Sequence, residues 1–193
     1  DGHYTFMSTI SESQLYNATE HGLTSTDESE QAIAAAEFAN KAGWYIELTT
    51  EGEKVLASPL IIDYKVFFTT YVPAVSSTSA CAPPTGNSRA YLVNMFNGNA
   101  VSDLNNNGDL DSGDRYADLK QTGIAPETKI LIEDIVSPVV CLGTECVSAV
   151  IQVDEEGNEE ACTSAFACLA ENIYGKFERI QRGAWHSETE RNE

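Results

Sequence analysis

Apolar and polar residues alternate over short runs through most of this chain, and one stretch departs from that rule. Between residues 28 and 42 the sequence is Ala-rich, with apolar positions at helical spacing. Asp27 stands where an N-cap belongs, with Glu30 three places on; Lys41 lies in the last turn and Gly43 ends the run. These signals predict a helix over about 28–42, packed through Ile33, Ala35, Phe38 and Ala42. Before it, 3–10 alternates weakly and reads as a strand, and 11–27 is polar and reads as loop.

After Gly43 the period becomes strand-like. Residues 44–48, 54–58, 89–96, 129–133 and 177–185 each read as a strand. Leu60–Ile62 and Val66–Tyr71 read as a hairpin turning at Asp63 and Tyr64, and Pro138–Cys141 with Cys146–Val153 as another. Glu51-Gly52 and Asn97-Gly98 are turn signals. Residues 73–88, rich in Ser, Pro and Ala, read as a loop, 154–160 as a solvated acidic turn, and 160–172 as either a short helix or irregular chain. About ten short strands separated by turns predict a mainly β fold of antiparallel strands, in propeller blades or a sandwich, with one N-terminal helix. No fixed-period repeat singles out the propeller. The chain divides into an N-terminal strand, loop and helix segment at 1–42, a β domain at 43–186 and a tail at 187–193.

Charge narrows the function. Eleven basic against 30 acidic residues leave a net charge of −19, and the first basic residue is Lys41. Nucleic acid demands clustered Lys and Arg, so it is not an expected partner. An anionic membrane surface is excluded on the same ground. No apolar run is long enough to cross a bilayer, and the start at Asp1 reads as a processed piece. Most of the acids read as a solvated surface.

One acidic stretch is different. Asp103-Leu-Asn-Asn-Asn-Gly-Asp-Leu-Asp-Ser-Gly-Asp114 carries oxygen donors at alternate places, the spacing of a twelve-residue calcium loop. Asp103, Asn105 and Asn107 fill the first, third and fifth places. Gly108 is sixth, where the chain must turn sharply. Asp109 is seventh and offers its carbonyl, Asp111 is ninth, and Asp114 is twelfth, one methylene shorter than the usual Glu. Zinc wants Cys and His, and magnesium resists all-protein cages, so Ca2+ is the expected cofactor. The loop is flanked by strand patterns and has no second copy, which sets it apart from EF-hands and dockerins. An Asn/Asp/Gly-rich turn is the plain alternative.

The cysteines are Cys81, Cys141, Cys146, Cys162 and Cys168. None is in a C-x-x-C spacing, and His3, His21 and His186 are isolated, so zinc and thioredoxin-type chemistry are not expected. The short spacings 141/146 and 162/168 suggest disulfides in an exported protein; buried thiols are the alternative. Cys81 is left over if both local pairs form, or pairs with one of the four.

Several short motifs, taken in order, resemble the C-terminal domain of the PilY-type type IV pilus proteins. They are Gly43-Trp-Tyr-Ile-Glu-Leu48, Gly52-Glu-Lys-Val-Leu-Ala-Ser-Pro59, Val66-Phe-Phe-Thr-Thr-Tyr-Val-Pro73, Tyr91-Leu92, Asn97-Gly98, the 103–114 loop, Gly123-Ile-Ala-Pro126 and Arg179-Ile-Gln-Arg-Gly-Ala-Trp185. The resemblance spans about 43–185. It implies a modified β-propeller of which this chain carries the last blades or a truncated C-terminal part, since a blade takes roughly 40–45 residues. It implies a calcium site made by Asp103, Asn105, Asn107, the Asp109 carbonyl and Asp111, with Asp114 added by the logic of the loop. It further implies an exported protein at the outer cell surface or pilus tip, with pilus subunits or minor pilins and a host or surface receptor as partners. Its implied roles are pilus biogenesis, adhesion, twitching motility and calcium-set extension against retraction, without enzymatic activity. The alternative is a secreted calcium-stabilised hydrolase, for which the chain offers neither Gly-x-Ser-x-Gly nor His-Glu-x-x-His.

Overall fold

The computed structural model describes residues 9–20, 22–74, 85–105, 107–131, 138–142, 145–148, 156, 158, 162 and 164–173. Within these the protein is mainly β, with antiparallel sheets and two helices. The strands predicted at 3–10 and 177–185, together with Cys81, fall wholly or largely outside the described residues.

The largest sheet has five strands: β3 (Lys54–Val55), β4 (Leu60–Ile62), β5 (Lys65–Val72), β6 (Asn87–Asn94) and β7 (Tyr116–Thr122). β5 is its axis. It pairs along its whole length with β6, and along its other edge with β3 at one end and β4 at the other. The β4–β5 hairpin turns where the sequence predicted, with Asp63 and Tyr64 at φ 45° and 58°. That pair of left-handed residues gives the twist a two-residue hairpin needs. β7 completes the meander on β6, although its stretch lay outside the predicted strands. The alternation was there: Ala117 and Leu119 are buried while Asp118 and Lys120 are exposed. A three-stranded sheet of β8 (Lys129–Leu131), β9 (Val139–Leu142) and β10 (Glu145–Ser148) confirms the second hairpin.

Helix α2 (Ala165–Glu171) resolves the ambiguity over 160–172. Ser164 caps it, its hydroxyl accepting from the Ala167 N–H. Phe166, Leu169, Ala170 and Ile173 close a core made by Phe67, Ala90, Leu92, Ala117 and Leu119 of the large sheet and Val140 and Leu142 of the small one. Disulfides Cys141–Cys146 and Cys162–Cys168 are both formed. The first ties directly opposed residues of β9 and β10.

The N-terminal part departs most from expectation. Residues 11–27 are not only loop: β1 (Leu15–Asn17) pairs in parallel with β2 (Gly43–Tyr45), and two short 3-10 turns flank β1. Helix α1 connects the two strands but spans Glu28–Phe38, shorter than predicted. Asn40 and Lys41 close a tight turn onto Glu37 and Phe38, and the Ala42 N–H is drawn to the Gln14 carbonyl. The Asp27 cap is as predicted, accepting from the N–H groups of Ser29 and Glu30, whereas the Glu30 carboxylate accepts from the Ser25 hydroxyl. Of the predicted packing face Phe38 holds, while Ile33, Ala35 and Ala42 are exposed, Ile33 by 67%. Ala34 is buried instead, and Phe38 packs edge-on against Tyr16. In an Ala-rich helix of about three turns the apolar pattern is weak, and the tertiary contact chooses the face.

Candidate functional site

Between β6 and β7 the chain leaves the sheet through a turn at 95–99 and returns through the 103–114 segment. Gly98 holds φ at 71°, and a Cβ there would lie 2.6 Å from the Trp44 ring, so glycine is required both for the turn and for the indole above it. Two buried oxygens on the way into the loop, Asn99 Oδ1 and Ser102 Oγ, have no hydrogen-bond partner among the described residues.

The loop is organised by its own side chains. Asp103 accepts from the N–H groups of Asn107 at 3.3 Å and Gly108 at 2.8 Å. Asn105 Oδ1 accepts the same Asn107 N–H at 2.9 Å, which brings the Asp103 and Asn105 oxygens together. Asn107 Oδ1 accepts from the Asp109 N–H and its Nδ2 donates to Asp111 Oδ2 at 3.1 Å. Asp111 Oδ1 accepts from the Gly113 N–H at 2.7 Å. Gly108 sits at φ 92° with open space around it, so the demand there is for backbone conformation alone. Asp109 is exposed, and its carboxylate has no hydrogen-bond partner among the described residues.

Asp114 differs from the others. It is 1% exposed, and both its oxygens face main-chain donors: Oδ1 takes the Leu104 and Asn105 N–H groups, Oδ2 that of Asp111. It knots the two ends of the loop together. Asp103, Asn105, Asn107 and Asp111 form the rim, each with lone pairs beyond those given to N–H groups. Among the described residues no three His, Cys, Asp or Glu side chains gather as a metal-holding group; the rim reaches its donor number only with the two Asn amides. Such all-oxygen donors fit a hard divalent cation and do not fit zinc.

Next to this knot lies Arg115, which the sequence did not single out. It is 2% exposed and donates to three main-chain carbonyls, Gly98 at 3.0 Å, Thr19 at 3.1 Å and Ala18. Burial lowers its guanidinium to about 10, which leaves it charged at neutral pH. A polar cavity of about 170 Å³ opens beside it, lined by Thr19, Glu20 and Glu47 on one side and Ser112 and Gly113 on the other.

The same face of the large sheet carries a buried network. The Glu53 carboxylate accepts from Thr70 Oγ1 at 2.6 Å, Tyr91 Oη at 2.9 Å and Arg89 Nη1 at 2.9 Å. Arg89 also pairs with Asp118 at 3.1 Å and lies 4.4 Å from the Tyr116 ring centre. Burial, and then the Glu53 charge, push the Tyr91 phenol well above its usual range. This network is saturated and reads as architecture. The strand patterns at 66–71 and 89–96 did not indicate which polar groups would meet across them.

Comparison with known proteins adds one similarity. The chain is 32% identical over 93 residues to a type IV pilus biogenesis factor PilY1 homolog of Xylella fastidiosa (strain Temecula1). The match covers 46% of this chain and 6% of that protein, so the chain corresponds to a small part of its relative. No family model matches the chain, and no solved structure does. Among the described residues no helix is long and apolar enough to cross a membrane.

Proposed function

We propose that this chain is a calcium-binding part of a type IV pilus-associated protein of the PilY1 kind, acting as a structural and interaction module and not as an enzyme. The observation that carries the reading is the partial identity to the PilY1 homolog, over nearly half of this chain. In this reading the protein is exported and works at the outer cell surface, at the pilus tip. The two disulfides suit an oxidising compartment. Its partners are pilus subunits or minor pilins and a surface receptor, and its roles are pilus biogenesis, adhesion, twitching motility and the balance of extension and retraction. The antiparallel meander of β3 and β4, β5, β6 and β7 serves as one blade of a modified propeller completed by the larger protein.

Ca2+ would supply a compact positive charge on which the rim oxygens converge. Asp103, Asn105, Asn107, Asp111 and the Asp109 carbonyl hold it, and Asp114 keeps the loop closed. A cation held only by the folded loop stabilises the fold by mass action. Calcium titration by calorimetry, with melting temperature followed in parallel, tests this. Binding heat and a rise in Tm are expected, both abolished by Asp103→Ala combined with Asp111→Ala. Absence of both in the unaltered chain rejects the calcium reading. Co-sedimentation with purified type IV pili, with and without calcium, tests the pilus reading.

A further inference from the structure

The N-terminal residues carry a small core of their own. Tyr16, Ala18 and Ala34 are buried with Leu23, Phe38, Trp44 and Ile46 around them, separate from the cluster that fills the space between the large sheet and α2. Among the described residues, side-chain hydrogen bonds join this unit to segment 95–115. Trp44 Nε1 donates to the Met95 carbonyl at 2.9 Å, and its ring rests on Gly98. Thr24 Oγ1 donates to the Leu110 carbonyl at 2.9 Å. Arg115 holds the Ala18 and Thr19 carbonyls from one side and that of Gly98 from the other. The polar cavity lies at this seam, with Thr19, Ile46 and Glu47 of the N-terminal unit and Ser112, Gly113 and Arg115 in its lining.

We propose that segment 95–115 is a clasp, and that cation occupancy of the 103–114 loop sets its hold on the N-terminal unit. The proposal rests on the calcium reading above. Two of the fastenings are part of the loop or adjoin it: the Leu110 carbonyl lies inside it, and Arg115 follows Asp114, whose carboxylate knots Leu104, Asn105 and Asp111. A filled loop fixes both at once. An empty one leaves the Asp103 and Asp111 carboxylates close to each other's partners without a counter-charge, which favours a looser loop. Leu110 and Arg115 then move out of register with Thr24, Ala18 and Thr19. With three buried core residues among those described, against twelve in the main cluster, the N-terminal unit opens at far less free energy than the sheet.

The test uses the full 193-residue chain with Trp185→Phe, so that Trp44 is the single indole. Calcium chloride is titrated while Trp44 emission, proteolytic cleavage within 9–48 and binding heat are recorded. Calcium should shift the emission to the blue and slow cleavage by about tenfold, the effect of roughly 1.4 kcal/mol on opening. Arg115→Gln should keep the binding heat and lose the protection. Hydrogen exchange of the β5 and β6 amides reports whether the sheet of that variant is intact. If it is not, Thr24→Val, which leaves Arg115 in place, carries the test with a several-fold loss of protection. Binding heat without any change at Trp44 or in cleavage overturns the clasp and leaves the calcium reading standing. Absence of heat removes the calcium reading and the trigger with it. An Arg115→Gln chain with an intact sheet and undiminished protection also overturns the clasp.

Discussion

On one face of β5, β6 and β7, Phe67, Ala90, Leu92, Ala117 and Leu119 pack against α2 and the small sheet. On the other, Thr70, Arg89 and Tyr91 meet Glu53 in hydrogen bonds and an ion pair, while Arg89 also pairs with Asp118 and lies over the Tyr116 ring, which is tilted against that of Tyr91. The first face is held by apolar area removed from water, which is non-directional and tolerant of shape. The second is held by directional groups that stabilise only as a complete set, because any member left unpaired in a dry site costs more than its bond contributed. The contrast extends to the flaws. The buried polar groups of the network are partnered, whereas Glu171, at the C-terminus of α2 on the apolar side, has no partner among the described residues.

The sharpest way to break the comparison is to remove Glu53, whose side chain is 1% exposed. Glu53→Ala takes the acceptor from Tyr91 and Thr70 and leaves Arg89 with Asp118 and Thr50, and should cost about 3–5 kcal/mol in chemical denaturation. Leu92→Ala, on the apolar face, should cost about 2–4 kcal/mol. If the Leu92 variant loses more than the Glu53 variant, the network is not the more fragile face. The smallest effect is expected at Glu171, whose carboxyl burial holds above the usual range. A carboxyl whose folded value is raised penalises the fold as pH rises through the interval between its ordinary and its raised value, and exerts no penalty below that interval. Glu171→Gln should therefore raise Tm modestly at pH 7, helped by removing a negative charge from a helix C-terminus. It should leave Tm unchanged below about pH 4. An equal gain at both pH values would mean that charge is not the cause.

Much of this fold was legible because its signals are local. The Asp63-Tyr64 turn, the Asp27 cap and the Asn97-Gly98 corner each depend on neighbours a few residues away. β7 carries a readable alternation, but only Ala117 and Leu119 are its buried apolar positions, a short signal beside an acidic loop. The packing face of α1 was not legible: Ile33 is the most apolar residue on the helix and points to solvent, while Ala34 is chosen because a small side chain fits beside Tyr16 and Gly22. Arg115 was beyond reach for a different reason. Two of its acceptors are main-chain carbonyls 96 and 97 residues away, and every residue type supplies a carbonyl.

The sequence by itself determined the strand rhythm and the oxygen-rich spacing of 103–114 and suggested the two short disulfides, since each is a matter of period or proximity along the chain. Only the tertiary structure decided that Asp114 serves as the knot of that loop and that Arg115 beside it holds the N-terminal unit. It also decided that Glu53 joins Thr70, Arg89 and Tyr91 beneath the opposite face of the sheet. Those arrangements rest on contacts between residues far apart in sequence, and nothing in the local pattern of either partner encodes where the other will be.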